Sequence, residues 1–190
     1  MTVDSDPRSP LAHRSADLAG MADNTGGSIV VAEVAFLAQV DLRVDPGQVR
    51  RVAFELPMRP NTATHDGDRT VLWLGPDEWL VVGPPWTGGE IVAELEAALT
   101  GVHHSVVDVS ANRAVLELRG STRHELLSKG CSLDLREDHW GPGTGAQTLL
   151  GGIAVILEER AEATRIFVRP SFGNHLTEWF LDATVEYRLL

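Results

Sequence analysis

Residues 70–82 have the sequence Thr70-Val71-Leu72-Trp73-Leu74-Gly75-Pro76-Asp77-Glu78-Trp79-Leu80-Val81-Val82. Two runs rich in aliphatic and aromatic residues, 70–74 and 78–82, flank a Gly-Pro-Asp connection that has the chemistry of a tight turn. The segment therefore predicts two antiparallel strands joined as a hairpin.

Before this hairpin, alternation of apolar and polar residues over 29–44 predicts a half-buried strand, which a turn at 45–47 ends. Residues 52–56 are a short strand candidate, and the proline-broken stretch 57–68 predicts a loop. After the hairpin, apolar residues recur at helical spacing over 91–99.

The same order of elements continues towards the C-terminus. Residues 106–109 and 113–118 predict two strands separated by a turn, and a short helix follows from Ser121 to Lys129. An apolar segment over 149–157, a strand over 164–168 and an amphipathic helix from about Gly173 complete the chain. Hairpins that alternate with single helices favour an α+β class, with antiparallel sheets and helices on one face.

The predicted domain organisation has two parts. Residues 1–28 are rich in Asp, Ser, Gly and Ala, a composition typical of a flexible leader that is mobile unless a partner holds it. Residues 29–190 predict one compact α+β unit, with two small lobes as the alternative.

Composition excludes several functions. The 190 residues are 43% hydrophobic, which is enough for a core, and their net charge of -11 disfavours nucleic acid as a partner. Cys131 is the only cysteine, so an internal disulfide, a thiolate zinc site and an iron–sulfur cluster are excluded. No signal peptide and no apolar run of membrane-spanning length is present, so we expect a cytoplasmic protein without a membrane partner.

No motif in the sequence completes a catalytic site. Residues 141–145 (Gly-Pro-Gly-Thr-Gly) lack the Gly-Lys-Ser/Thr ending of a phosphate loop. Asp108 and Ser110 lie near His103 and His104, but no nucleophile elbow accompanies them. The histidines are scattered, and Cys131 is better explained as a buried small hydrophobe than as a nucleophile. We therefore expect no catalytic, cofactor-binding or metal-binding residue in this chain.

Two features favour binding. Asp77, Glu78 and Trp79 at the predicted hairpin tip could bind a cationic amine, although a structural turn with Trp79 as its anchor explains them better. Five tryptophans and five phenylalanines accompany a single tyrosine, and large aromatic side chains are favoured anchors at protein interfaces.

Seven stretches of the sequence are distinctive: residues 9–13 (SPLAH), 72–80 (LWLGPDEWL), 107–110 (VDVS), 127–135 (LSKGCSLDL), 146–148 (AQT), 171–172 (SF) and 179–183 (WFLDA). Together they resemble the gamma subunit family of heterotetrameric sarcosine oxidase. The resemblance covers nearly the whole chain. Gly145, where the family often has Cys, and Pro170, where it usually has another residue, depart from the pattern.

The resemblance implies a fold related to the folate-binding aminomethyltransferases, such as the T-protein. It implies an assembly with alpha, beta and delta subunits that oxidises sarcosine to glycine, hydrogen peroxide and a tetrahydrofolate-bound one-carbon unit. FAD, FMN, NAD, tetrahydrofolate and zinc are then expected in the partner subunits, and none in this chain. A free-standing folate-binding aminomethyl transfer protein is the alternative.

Within this family, contacts to partner subunits are expected at the hairpin, in the leader and near the C-terminal helix. The candidate contact residues are Pro10, Leu11, His13, Trp73, Asp77, Glu78, Trp79, Trp140 and Phe172.

Overall fold

The computed structural model describes residues 7–188, in which the chain forms ten β-strands and four α-helices. The strands are β1 (Val30–Glu33), β2 (Leu37–Val44), β3 (Ala63–Asp66), β4 (Arg69–Gly75), β5 (Glu78–Pro85), β6 (His104–Asp108), β7 (Ala114–Arg119), β8 (Gly145–Leu150), β9 (Ile153–Glu159) and β10 (Thr164–Val168). The α-helices are α1 (Ser15–Asn24), α2 (Gly88–Ala98), α3 (Arg123–Ser128) and α4 (Gly173–Ala183). Short 3-10 helices lie at Ala12–Arg14, Pro46–Arg51, Pro170–Phe172 and Val185–Tyr187.

The strands form two five-stranded antiparallel sheets. The first sheet has the order β1-β7-β10-β9-β8, and the second has the order β3-β4-β5-β2-β6. All of these neighbours pair antiparallel. The predicted α+β class is confirmed.

The hairpin over residues 70–82 is confirmed as β4 and β5. Leu72 lies opposite Leu80 and Trp73 lies opposite Trp79, with an irregularity in the register before Gly75. On its other edge β5 pairs with β2. The hairpin therefore supplies central strands of the second sheet, which explains why both of its runs are apolar on both faces.

The two sheets pack face to face, and successive side chains of a strand point to opposite faces. In β5, Leu80 and Val82 face the first sheet, whereas Trp79 and Val81 face away from it. The layer between the sheets contains Leu37, Ala63, Leu72, Leu74, Leu80, Val82, Val115, Ile156 and Phe167. These side chains join the two sheets into one hydrophobic unit.

The helices cover the outer faces of the sheets. Buried residues of α1, α3 and α4 pack on the first sheet, among them Leu18, Leu127 and Phe180. Ile91 and Leu95 of α2 pack on the second sheet. Each sheet therefore carries helices on its outer face only, as predicted.

The predicted strand over 29–44 is wrong, because this segment forms β1 and β2, which belong to different sheets. The chain passes between the sheets at residues 34–36, where Phe36 has a left-handed backbone with φ of 63°. Alternation continues on both sides of this crossing, so the pattern could not reveal it. The pair predicted at 106–118 is separated in the same way, since β6 pairs with β2 while β7 pairs with β1 and β10.

Two other segments also differ from the expectation. The apolar run 149–157 is interrupted by Gly151 and Gly152, whose φ angles of 58° and 83° suit a tight hairpin turn between β8 and β9. Residues 52–56 form no strand, although Val52, Phe54 and Leu56 pack on the outer face of the second sheet. The predicted loop 57–68 contains the edge strand β3.

The N-terminal segment contains α1, on which Leu18 and Met21 are buried against the first sheet together with Leu11. These three side chains provide the apolar surface of this segment, although residues 1–28 as a whole are rich in Asp, Ser, Gly and Ala. Flexibility of the leader before partners bind stays a prediction, and its first six residues lie outside the described part of the chain.

The second sheet depends on Trp79, whose side chain is 0% exposed and whose Nε1 donates to the Pro57 carbonyl at 2.8 Å. Trp79→Ala is expected to lower the free energy of unfolding by about 3–5 kcal/mol, because it leaves a cavity. Trp79→Phe is expected to cost about 1–3 kcal/mol, because it leaves the Pro57 carbonyl without its donor. Urea denaturation monitored by circular dichroism measures both.

The matched control is Trp86→Ala, because Trp86 is 67% exposed. We expect this substitution to cost about 1 kcal/mol, mainly from the lost ring stacking on Phe36. Equal losses for Trp79→Ala and Trp86→Ala would contradict the assignment of Trp79 to the core.

Candidate functional site

Polar side chains lie at both ends of the layer between the sheets, on either side of its apolar centre. At one end Glu158 of β9 faces His65 of β3 and Thr70 of β4. At the other end Gln39 of β2 lies against the backbone of Arg113, which precedes β7. These two ends are the candidate functional sites, because polar groups from both sheets meet there.

Glu158 is 0% exposed, and its Oε1 accepts from Arg160 at 2.6 Å and from His65 Nε2 at 3.0 Å. Burial raises the pKa of this carboxyl, but the His65 hydrogen bond and the charges of Arg160 and Arg165 outweigh it. The net pKa lies below the ordinary value, so Glu158 is a carboxylate at neutral pH. The group links the two sheets electrostatically and is not poised as a general acid.

Arg113 is half-buried and lies between two cavities, one shared with Gln39 and one shared with Arg169 and Phe172. Burial lowers its pKa, and the neighbouring charge of Arg169 lowers it further. Within residues 7–188 no hydrogen bond or ion pair engages the Arg113 guanidinium. A partly desolvated cation of this kind favours the binding of an anionic group.

Glu78, at the hairpin tip, is directed to the same end of the layer. Burial raises its pKa, and the nearby Asp41 carboxylate raises it further, while Arg43 opposes the effect from 2.5 Å. Glu78 and Asp41 also stabilise the charged form of Arg113. Both carboxylates therefore contribute to the electrostatic field around Arg113.

Phe36 and Trp86 form an aromatic pair beside the first of these cavities. Their rings stack with centroids 4.6 Å apart, and both residues have a left-handed backbone, with φ of 63° and 69°. Trp86 donates its backbone N–H to the Phe36 carbonyl. Non-glycine residues in this conformation cost about 1–3 kcal/mol each and cluster at functional sites.

The residues predicted at the hairpin tip do not form one site. Asp77 is exposed and Glu78 is half-buried between the sheets, whereas Trp79 is buried on the opposite face of β5. Alternation along the strand separates them. An amine site made of these three residues is therefore excluded, and Trp73, which is half-buried, lies on the same face as Trp79.

Three of the predicted contact residues have no side-chain surface to offer a partner. Leu11, Trp79 and Trp140 are 1%, 0% and 5% exposed. Trp140 Nε1 donates to the buried Glu159 Oε2 at 2.9 Å, so its role is internal. The aromatic count suggested interface anchors for Trp79 and Trp140, and burial removes that basis.

The other predicted contacts remain accessible. Pro10 is exposed, and His13 is exposed with its Nε2 at 2.7 Å from Asn174 Oδ1. Phe172 is 44% exposed and lies beside Ala154, which pairs with the exposed Leu149. Leu149, Ala154 and Phe172 form an apolar patch, which we call the Phe172 patch.

The catalytic alternatives find no support among the described residues. Ser110 Oγ donates to Asp108 Oδ1 at 2.5 Å, while His104 binds the Val102 carbonyl and Glu96. Among the described residues no histidine is hydrogen-bonded to Ser110. Cys131 is buried in the outer layer of the first sheet, as expected of a small hydrophobe.

Within residues 7–188 no group of three or more His, Cys, Asp or Glu residues could hold a metal ion. None of the described helices is long and apolar enough to cross a membrane.

The departures from the family pattern are local. A Cβ at Gly145 would lie 3.1 Å from Leu72 Cδ2, and Pro170 begins a 3-10 helix, where its missing N–H costs little.

Sequence reasoning missed Gln39, Arg113 and the Phe36–Trp86 pair. In the sequence, Gln39 and Arg113 look like ordinary polar residues that face solvent. The position of Gln39 between the apolar residues Ala38 and Val40 was the one indication that its side chain could be buried. The tertiary crossing of the chain brings these residues together.

Comparison with known proteins places the chain in a class and then in a family. It matches glycine cleavage system aminomethyltransferase T from Bartonella henselae with a TM-score of 0.68 at 12% identity, over 90% of this chain and 56% of that one. This likeness defines the fold class, that of the aminomethyltransferase T proteins.

The family model described as sarcosine oxidase, gamma subunit family matches residues 38–186. Sarcosine oxidase subunit gamma of Arthrobacter sp is 36% identical over 95% of this chain and 91% of its own length, and that of Corynebacterium sp. (strain P-1) is 37% identical over the same shares. The chain belongs to the sarcosine oxidase gamma subunit family. It also matches, with a TM-score of 0.88, 32% identity and 97% coverage of both chains, a chain of heterotetrameric sarcosine oxidase from Corynebacterium sp. U-96 in complex with pyrrole 2-carboxylate.

The lowered pKa of Glu158 gives a prediction about stability and pH. The carboxylate is fully charged in both states above the ordinary pKa of 4.5, so its stabilisation is present there and is lost as pH falls through the lower native pKa. Glu158→Gln is expected to cost about 1–3 kcal/mol at pH 7, and the difference from the wild type is expected to shrink below about pH 4.5. Urea denaturation at stepped pH measures this.

Glu137→Gln is the matched control, because Glu137 is exposed. It is expected to leave the pH dependence unchanged. A Glu158→Gln difference that stays constant from pH 7 down to pH 3 would show that the carboxylate charge does not stabilise the layer.

Proposed function

We propose that this chain is the gamma subunit of a heterotetrameric sarcosine oxidase and that its role is to build the complex. The observation that carries the proposal is the match to a chain of the Corynebacterium complex with a TM-score of 0.88 over 97% of both chains. The identity of 36–37% to two curated gamma subunits supports it.

In this proposal the partners are the alpha, beta and delta subunits, and the complex works in the cytoplasm. It oxidises sarcosine to glycine and hydrogen peroxide and passes a one-carbon unit to tetrahydrofolate. FAD, FMN, NAD, tetrahydrofolate and zinc are assigned to the partner subunits. An assembly role for this chain is supported by Ser110 and His104, which form no catalytic pair among the described residues.

The Phe172 patch is the proposed contact surface. Leu149 is 56% exposed and Phe172 is 44% exposed. Leu149 pairs with Ala154, which lines a cavity together with Phe172. Large apolar side chains left exposed next to one another favour burial by a partner. The exposed Pro10 and His13 in the N-terminal segment are a second candidate surface.

A free-standing aminomethyl transfer protein is less well supported. The match to aminomethyltransferase T extends over only 56% of that chain and reaches 12% identity, so it supports the fold and no activity.

Co-expression of all four chains tests the assembly role. With this chain omitted, we expect the soluble tetramer and its sarcosine-dependent hydrogen peroxide production to fall at least tenfold, because the remaining chains lack one interface. Size-exclusion chromatography and a peroxidase-coupled assay measure the two quantities. A complex that assembles and turns over at wild-type level without this chain would contradict the proposal.

The Phe172 patch can be tested within the complete complex. The double substitution Leu149→Ser with Phe172→Ser is expected to weaken co-purification at least tenfold, because each lost apolar anchor costs about 1–2 kcal/mol of binding and 1.4 kcal/mol is tenfold. Met58→Ser, at an apolar residue that is 52% exposed elsewhere, is the control. Equal co-purification of both variants would rule out this patch as the contact.

A further inference from the structure

A cavity of about 200 Å³ lies where the chain crosses from one sheet to the other. Three segments form its walls: the N-terminal segment with Arg8 and Pro10, the β1–β2 connection 33–37, and the β6–β7 connection with Arg113. Since one water takes about 30 Å³ of liquid volume, the cavity has room for a molecule of the size of a small amino acid.

Arg113 gives the cavity a positive charge that no ion pair among the described residues neutralises. Its guanidinium has no hydrogen bond or ion pair within residues 7–188, and its pKa is lowered by burial and by Arg169. Asp41 and Glu78 offset the charge only in part, because Glu78 already pairs with Arg43. A bound carboxylate would satisfy the guanidinium with two parallel hydrogen bonds.

Gln39 supplies a hydrogen-bond acceptor in the same wall. Its side chain is buried, and its Nε2 donates to the Arg113 carbonyl at 2.9 Å. This bond fixes the orientation of the amide, because a reversed amide would place two oxygens together. Gln39 Oε1 is then buried, and no partner for it lies within the described residues. A buried acceptor left in this state costs about 1–3 kcal/mol, which a ligand N–H would recover.

The remaining wall is held rigidly. Phe36 lines the cavity in its left-handed conformation and is stacked on Trp86. Glu33 also lines the cavity, and its carboxylate is held by Ser9 Oγ at 2.5 Å and by the Leu11 N–H at 3.2 Å. The wall is therefore preorganised, with a positive group, an acceptor and a fixed carboxylate.

We propose that this cavity binds a small carboxylate that carries an N–H donor close to its carboxyl group. The carboxylate is bound by Arg113, and the N–H donates to Gln39 Oε1. Two sources present this chemistry: a free amino acid, or the C-terminal residue of a polypeptide. The residues named here as ligand contacts all come from this chain, so a failure to bind leaves the proposed assembly untouched.

Isothermal titration calorimetry of the full chain tests the ligand chemistry. Glycine has both groups, acetate lacks the N–H donor, and methylamine lacks the carboxylate. We expect saturable binding of glycine, at least fivefold weaker binding of acetate, and no binding of methylamine. Absence of saturable glycine and N-acetylglycine binding, or methylamine binding equal to that of glycine, overturns the proposal.

Two substitutions assign the roles. Arg113→Met is expected to weaken glycine and acetate binding at least tenfold, whereas Gln39→Met is expected to reduce glycine binding to the level of acetate and leave acetate unchanged. Arg119→Met, at an exposed residue outside this cavity, is the control. Far-ultraviolet circular dichroism checks folding, and Arg113→Lys replaces Arg113→Met if the latter unfolds, with weaker binding expected from loss of the planar fork. Unchanged binding in both Arg113 and Gln39 variants overturns the assignment.

N-acetylglycine separates the two sources, because it reproduces a peptide C-terminus with its amide N–H. Tighter binding of N-acetylglycine than of glycine supports a polypeptide C-terminus, and the reverse supports a free amino acid.

Discussion

The contact between the inner faces of the two sheets is the interaction on which the rest of the structure depends. Apolar side chains from both sheets, with Leu80, Val115 and Phe167 among them, fill this layer. Burial of apolar surface contributes about 25 cal/mol per Å², and neither sheet could cover its inner face alone. Each inner face is covered by the opposite sheet, so the helices pack on the outer faces.

This arrangement also decides where polar groups can lie. The apolar centre excludes charges, so Glu158 and Arg113 are confined to opposite ends of the layer. At one end Glu158 Oε1 accepts from His65 and Arg160, while Oε2 is buried and has no partner among the described residues. At the other end the guanidinium lacks such a partner among the described residues. The two ends differ in that Glu158 has cationic partners, whereas the Arg113 guanidinium has no ion pair among the described residues.

The chain belongs to the sarcosine oxidase gamma subunit family, and the role that we propose for it is to contribute contact surfaces and a pocket. The fold class is shared with aminomethyltransferase T at 12% identity. A shared fold does not by itself determine catalytic activity. His104 and Ser110 are engaged in local contacts with neighbouring residues. The exposed apolar side chains of Phe172 and Leu149 favour burial by a partner.

The sequence by itself determined the family, the α+β class and the central hairpin. Its motifs are contiguous, and the hairpin combines β-branched residues, aromatics and a turn within 13 residues, so local chemistry was sufficient. The helix over 173–183 was likewise readable, because its apolar spacing is local.

Only the tertiary structure decided which strands pair and which residues share a site. The crossings at Phe36 and between Val109 and Arg113 move the chain to the other sheet without interrupting its alternation. Trp79 and Trp140 look like interface anchors in the sequence, but the packing buries them. Gln39 and Arg113 are 74 residues apart in the chain. Their proximity depends on strand pairing and sheet packing. These are long-range interactions, which produce no periodic pattern in the sequence.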